Sequence, residues 1–222
     1  PVAPHILDAA LATVASRAPR LAAALLPFQR EGVAFAIGKD GRALIAHDMG
    51  LGKTLQAIAV MAHYAQEWPC LVVVPASMRW PWVDSLETWL DECISPGEIN
   101  VVRDGNNTAI NDPRYKVTVV SYPLLNNASI LAQVESQRFQ VVVADESHYV
   151  KDAKAKRTKA LLPVLKRASR CILLSGTPAL NRPRDLFTQM DALRPGALGT
   201  FTDFAKRYCN ARRLPWGWDY NG

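Results

Sequence analysis

The sequence predicts an α/β fold, a mostly parallel sheet with helices on both faces. Three observations carry that reading. Short, nearly continuous Val/Leu/Ile runs recur along the 222 residues, and helical spacing follows most of them. The runs lack polar alternation, the pattern of strands buried on both faces. A polar cluster closes most runs, where a parallel sheet joined by right-handed crossovers gathers its ligand chemistry.

In chain order, Ile6 to Leu26 is rich in Ala and Leu at helical spacing, and Pro19 divides it into two short helices. Its arginines and scarcity of acids faintly resemble a transit peptide, but a packing helix is the expectation. Pro27 suits a first helical position, opening a helix through Phe28, Val33, Ala36 and Ile37 that stops at Gly38. Ala43 to Ala46 is a buried strand. Beyond a glycine-punctuated turn, Leu55, Ile58, Ala59 and Ala62 mark one face of a helix. Leu71 to Val74 is a strand ending at Pro75. Met78 to Leu90 is a helix whose Trp82, Val83, Leu86, Trp89 and Leu90 form a core stripe, with base stacking as the alternative for its tryptophans. Strands follow at Ile99–Val102 and Val117–Tyr122, separated by a polar surface loop over Arg103–Arg114. A helix over Leu124–Val134, a strand at Val141–Ala144, a helix over Lys156–Leu165 and a strand at Cys171–Leu174 complete the alternation.

Hydrophobic residues make up 49% of the chain, enough for a sizeable core and far from disorder. Its length fits one large domain with an appendage: a helical segment over 1–26, the α/β lobe over 27–200 and an extension over 201–222. Starting at Pro1 and running on through Trp-Asp-Tyr-Asn-Gly, the chain reads as a piece of a longer protein. No apolar run approaches the ~20 residues that span a bilayer, so no membrane role is expected. Cys70, Cys93, Cys171 and Cys209 are too scattered for a zinc ribbon or redox pair, and fit buried, reduced thiols. The net charge of +6 is unevenly spread. Residues 1–150 hold 11 Lys and Arg against 15 Asp and Glu, whereas residues 151–222 hold 15 against 5, a balance of +10. An anionic polymer partner and a solvated surface excess both explain that half.

Arg42 to Gln56, RALIAHDMGLGKTLQ, carries the first chemistry. Strand, glycine loop, Lys-Thr and helix is the layout of a phosphate-binding loop. Gly50 and Gly52 let the backbone approach a polyphosphate, and the helix N-terminus offers free N–H groups with a partial positive charge. Lys53 reaches the outer phosphates, and the Thr54 hydroxyl is a ligand for Mg²⁺. His47 stands where the strict pattern has glycine.

The second is Asp145-Glu146, after the strand at 141–144. Adjacent carboxylates beside a buried strand are costly unless a cation or water uses them. On a strand expected to neighbour the phosphate loop, Asp145 is placed to hold Mg²⁺ through water, and Glu146 to activate the water that attacks a γ-phosphate. The extra Glu argues for hydrolysis, and the lack of an Asn-Lys-x-Asp signature argues against GTP. His148 either bridges to the Ser175-Gly176-Thr177 loop or caps a turn.

DMGLGKT, DESH and LLSGTPALNRP, in this order, resemble the motifs of Swi/Snf-related superfamily 2 helicase-like ATPases. LPFQREGV resembles the Gln motif, VVVPASM motif Ia and VVSY motif Ib. With the ending RYCNARRLPWGWDYNG, the chain is most similar to the annealing-helicase, HARP-type branch. His47 departs from the acidic residue usual there. The resemblance covers nearly everything from Leu26 onward and implies a RecA-like P-loop domain, the first of two lobes. It implies that Gln29 reads the adenine edge and that Met49, Gly50, Leu51, Gly52, Lys53, Thr54 and Leu55 bind the phosphates. Thr54 and Asp145 would organise Mg²⁺, with Lys53, Asp145 and Glu146 as the catalytic set. Pro75, Ala76, Ser77, Ser121, Tyr122, Lys151 and Lys154 would track a DNA strand through phosphate contacts, which position rather than specify. Ser175, Gly176 and Thr177 would couple the nucleotide to the DNA grip. Trp216, Trp218 and Tyr220 either stack on bases or pack on further structure.

The resulting expectation is half of a nuclear, DNA-dependent ATPase that uses ATP and Mg²⁺ to translocate on DNA, anneal strands and remodel stalled forks. Its partners would be forked or duplex DNA, a second RecA-like lobe and, as a candidate, a single-strand-binding protein. The alternatives are a nucleosome remodeller, an RNA helicase lobe, or a non-hydrolysing ATP-dependent clamp on DNA.

Overall fold

The computed structural model describes residues 4–178, 182–215 and 217–220, with side chains from Asp8 onward. Trp216 and residues 179–181 within the LLSGTPALNRP stretch lie outside the described residues. The chain opens with α1 (Pro4–Arg17), α2 (Pro19–Ala24) and α3 (Pro27–Ile37), split at Pro19 and stopped at Gly38 as expected. Then come β1 (Arg42–Ile45), α4 (Lys53–His63), β2 (Cys70–Val74), α5 (Arg79–Trp89), β3 (Ile99–Val101) and β4 (Val117–Ser121). They are followed by α6 (Ala128–Gln137), β5 (Val141–Ala144), α7 (Lys156–Arg167) and β6 (Arg170–Leu174). The helix expected from Leu124 begins later. Residues Tyr122–Asn126 form a 3-10 turn, and the Asn127 side chain accepts from the Ser129 and Ile130 N–H groups at 2.9 and 3.2 Å. That Asn cap, not the apolar pattern, sets the helix start.

The six strands form one sheet in the order β1-β6-β5-β2-β4-β3, every pair parallel. Alternation along each strand divides the core in two. Val72, Val74, Val119, Val143 and Ile172 face the layer of α1, α2, α4 and α5. Leu71, Val73, Val120, Val142 and Leu173 face α6, α7 and α8 (Phe187–Leu193). Helices thus cover both faces. The first segment is part of this core, since Val14, Ala18, Leu21 and Leu25 are buried in it. The Arg17 guanidinium also caps the end of α4, donating to the Ala62 and His63 carbonyls at 3.0 and 2.7 Å. Arg42 does the same on the other face. Its guanidinium donates to Leu165 and Ala168 at the end of α7, and to Ala192 and Leu193 at the end of α8. A cation suits both sites because helix C-termini leave carbonyls unsatisfied and partly negative.

Beyond residue 200 lie α9 (Phe201–Tyr208) and a hairpin of β7 (Arg212–Leu214) and β8 (Gly217–Asp219), none of them anticipated as elements. They pack as a separate aromatic cluster in which Phe201 and Tyr220 meet edge-on, 5.0 Å apart. Trp218 lies nearly parallel to Tyr220, under the Lys206 ammonium. Cys70, Cys171 and Cys209 are buried, and burial pushes the Cys171 thiol up to about 12. They are inert core thiols.

Candidate nucleotide-binding site

The loop after β1 wraps an open helix end. Gly50 (φ 81°) and Gly52 (φ 71°) occupy the left-handed region, and Gly52 is the N-cap of α4. No side chain caps this end and its first turn carries no acid, so its N–H groups and partial positive charge remain available to an anion. The Lys53 ammonium lies back along the loop, donating to the His47 and Asp48 carbonyls at 2.9 and 3.0 Å. A cation held by neutral carbonyls at an uncapped helix end fits a polyphosphate. Gln29 is 5% exposed and bridges α3 to this loop. Its Oε1 accepts from the Leu26 N–H at 2.9 Å, and its Nε2 donates to the Leu51 carbonyl at 3.1 Å. One end of the amide therefore caps α3 itself and the other holds the loop. The amide keeps a second N–H and a second lone pair with which to meet a base edge.

His47 has its own anchor. Its Nδ1 lies 3.1 Å from Nε2 of buried Gln56 on α4, and its ring meets Phe28 edge-on at 5.8 Å. The imidazole ties the loop to the helix behind it, and sequence reasoning missed Gln56 because an amide within an apolar helix face reads as incidental.

The acidic turn does not neighbour the phosphate loop in the sheet. β6 lies between β1 and β5, which corrects the expected adjacency. Loops after β1, β6 and β5 thus line up side by side at the carboxyl edge, with Gly176 between the other two. A Cβ added there would meet Met49 Cγ at 2.9 Å and Lys53 Nζ at 3.4 Å. Asp145 is 7% exposed. Its Oδ1 accepts from the Glu146 N–H and its Oδ2 from the Trp82 indole N–H, each at 2.8 Å. Each oxygen retains a lone pair. Among the described residues no cluster of three or more His, Cys, Asp or Glu side chains could hold a metal alone.

Glu146 sits at φ 49°, ψ 52°, a left-handed backbone costing a non-glycine residue roughly 1–2 kcal/mol. Its carboxylate reaches His148 Nδ1 at 3.1 Å, and that nitrogen is 3.3 Å from Ser175 Oγ. Of the two roles considered for His148, the structure has the bridge. A second link was invisible in the sequence. Ser147 donates to Oε1 of buried Gln189 at 2.7 Å, while Gln189 Nε2 donates to the Pro178 carbonyl at 2.7 Å.

The segments expected along a polymer lie on adjacent strands β2 and β4. Ala76 and Ser77 are exposed, and Pro75 is half-buried. Ser121 and Tyr122 are not available in the expected way. Both side chains are buried, and the Tyr122 hydroxyl donates to the Asp145 backbone carbonyl at 2.7 Å. Burial, with Asp145 and Glu146 adding negative charge nearby, holds that phenol well above its ordinary pKa, so it remains a neutral donor. A hydroxyl contact from Tyr122 to phosphate is therefore closed. Lys154 is exposed, whereas Lys151 faces Asp185 at 3.5 Å. Thr177 is exposed beside half-buried Gly176.

The chain matches the SNF2-related domain over residues 28–213. It is 49% identical over 210 residues to the mouse protein named DNA annealing helicase and endonuclease ZRANB3, covering 91% of this chain and 19% of that protein. It is 46% identical over 206 residues to a Xenopus tropicalis SWI/SNF-related matrix-associated actin-dependent regulator of chromatin subfamily A-like protein 1, covering 91% and 21%. Among solved structures it is similar to the Sulfolobus solfataricus SWI2/SNF2 ATPase core in complex with dsDNA. There the TM-score is 0.68 at 26% identity, over 83% of this chain and 38% of that one. The chain thus spans about a fifth of the length of the curated relatives it matches.

Proposed function

The chain belongs to the SNF2-related family, and we propose that it is the first RecA-like, ATP-binding lobe of a nuclear DNA-dependent ATPase that translocates on DNA, anneals separated strands and remodels stalled forks. The observation that carries the nucleotide half of this reading is the uncapped end of α4, with Gly50 and Gly52 left-handed and Lys53 resting on neutral carbonyls. It supports a bound polyphosphate, with Met49 to Leu55 as the cradle and Gln29 at the base.

In this reading Lys53 leaves the loop carbonyls for the outer phosphates, exchanging neutral acceptors for charged ones that bind roughly twice as strongly. Thr54 and Asp145 hold Mg²⁺, which when bound neutralises charge on the phosphates. Glu146 orients and deprotonates the attacking water, and His148 connects its carboxylate to Ser175. Ala76 and Ser77 contact DNA phosphates by backbone and hydroxyl, with Pro75 shaping the turn. Ser121 contributes through its backbone, and Lys151, Lys154, Gly176 and Thr177 extend the track. A second RecA-like lobe closes the cleft, and a single-strand-binding protein is a candidate partner at forks. The similarity to a protein named as an annealing helicase supports the choice over a nucleosome remodeller, an RNA helicase or a non-hydrolysing clamp.

The test uses the full-length protein and its Glu146→Gln variant. Nucleotide binding should survive in the variant and turnover should disappear, while wild-type turnover should respond more to forked DNA than to RNA or nucleosomes. Near-normal turnover in Glu146→Gln would remove that residue from catalysis. Preference for RNA or nucleosomes would overturn the fork assignment.

A further inference from the structure

Two segments placed along the polymer track end on the same residue. The loop after β2 runs from Pro75 through a 3-10 turn at Ala76–Met78 directly into α5, and the first turns of α5 present Trp82. Trp82 is fully buried, and its one N–H donates to Asp145 Oδ2 at 2.8 Å. The end of β4 runs into Tyr122, also fully buried, and its hydroxyl donates to the Asp145 backbone carbonyl at 2.7 Å. One contact fixes the carboxylate and the other fixes the main chain beneath it.

We propose that Trp82, assisted by Tyr122, is a positioning residue that sets the Asp145 carboxylate and transmits DNA contact at the β2 and β4 loops to it. The inference rests on the reading of Asp145 as the Mg²⁺-organising carboxylate. Asp145 is almost completely buried, so few waters are available to hold its orientation, and each oxygen has one protein donor. The Glu146 N–H belongs to the turn itself. The indole is the donor that arrives from elsewhere, and it rides on the helix continuous with the exposed Ala76–Ser77 loop. Arg79 stiffens the start of that helix by donating to the Val102 and Arg103 carbonyls at 2.6 and 2.8 Å. A shift of the loop on binding a phosphate backbone is therefore delivered to Oδ2, because a packed core moves between discrete arrangements and does not absorb strain gradually. The alternative is that the two rings bury apolar area and satisfy their polar tips on the nearest acceptor. That alternative predicts effects on stability alone.

The experiment compares full-length wild type with Trp82→Phe and Tyr122→Phe, which keep a ring and remove the donor. ADP binding is titrated calorimetrically with and without Mg²⁺, alongside ATPase activity with and without duplex DNA, and melting serves as the folding control. For Trp82→Phe, ADP affinity without Mg²⁺ should stay within about twofold of wild type. Its half-saturating Mg²⁺ should rise roughly tenfold, the scale of one hydrogen bond to a charged group. The ratio of DNA-stimulated to basal turnover should fall in both variants, less in Tyr122→Phe, which touches only the backbone carbonyl. Folded variants with wild-type Mg²⁺ dependence and wild-type DNA stimulation would overturn the proposal. If Trp82→Phe does not fold, the DNA stimulation ratio of Tyr122→Phe decides it. A wild-type protein whose nucleotide binding ignores Mg²⁺ and which lacks turnover would overturn the ATPase reading itself, and this inference with it.

Discussion

The phosphate loop and the acidic turn hold their functional groups in opposite ways. The loop is exposed and locally built. Met49, Gly50 and Leu51 face solvent, the glycines take left-handed conformations, and Lys53 bonds to carbonyls five and six residues away. The acidic turn is buried and assembled from afar. Trp82 and Tyr122 reach Asp145 from distances of 63 and 23 residues, and Ser175 reaches His148 from 27. The difference follows from what each must bind. A polyphosphate is large, arrives with its own charge and needs an open, ready-made cradle of N–H donors. In the proposed function Asp145 orients one cation and Glu146 activates one water, and both carboxylates would need to be held to a fraction of an ångström, which rigid packing provides. The loop should therefore tolerate changes that leave its backbone alone, and the turn should be sensitive to changes far from it in sequence.

The largest effect should come from removing what neither region contains. On the proposed two-lobe reading, residues 1–222 alone should fold and bind ATP weakly but show almost no turnover, because an arginine supplied from across the cleft would contribute ~10³–10⁵ in rate. Single-turnover ATPase measurements with and without forked DNA test this. Strong DNA-stimulated turnover by the fragment would mean that it completes its own site.

Within the acidic turn, Glu146→Gln in the full-length protein should reduce turnover by roughly 10²–10⁴, the scale of general-base catalysis, while ATP affinity changes little. Within the phosphate loop, Lys53→Ala should do the reverse at smaller amplitude. ATP affinity should fall roughly 10- to 100-fold, the scale of losing hydrogen bonds to a charged partner. Equilibrium nucleotide binding and steady-state hydrolysis on both variants separate the two regions. If both variants lose the same property, the division between cradle and clamp is wrong.

The smallest effect belongs to the basic half. Lys154 is exposed and Lys151 faces Asp185, so the two lysines should not contribute equally. Lys154→Ala should flatten the slope of log affinity for duplex DNA against log salt by about 0.9, one phosphate contact, and Lys151→Ala by less. Unchanged slopes in both would return this cluster to a solvated surface.

The sequence by itself determined the strands, most of the helices and the glycine turn before α4, because each depends on neighbours within one turn or strand. Val/Leu/Ile runs of four to six residues, without alternation and bounded by turn residues, fit strands buried on both faces, and Gly-Leu-Gly-Lys-Thr carries its own backbone chemistry. The early start given to α6 came from reading apolar spacing past the Asn127 cap. The start of α9 was legible in the Thr200-Asp203 capping box and was overlooked, whereas the hairpin's packing depends on the distant meeting of Phe187, Phe201 and Tyr220. Tertiary structure alone decided that β6 separates the phosphate loop from Asp145, since strand order is set by crossovers and leaves no local trace. It also decided that Tyr122 faces inward to Asp145 and that Trp82, legible only as core, supplies that carboxylate with its second donor. An indole in an apolar helical stripe declares that it will be buried. Where its single N–H points depends on which buried acceptor the folded sheet brings within 3 Å, and here that is Asp145 at 2.8 Å.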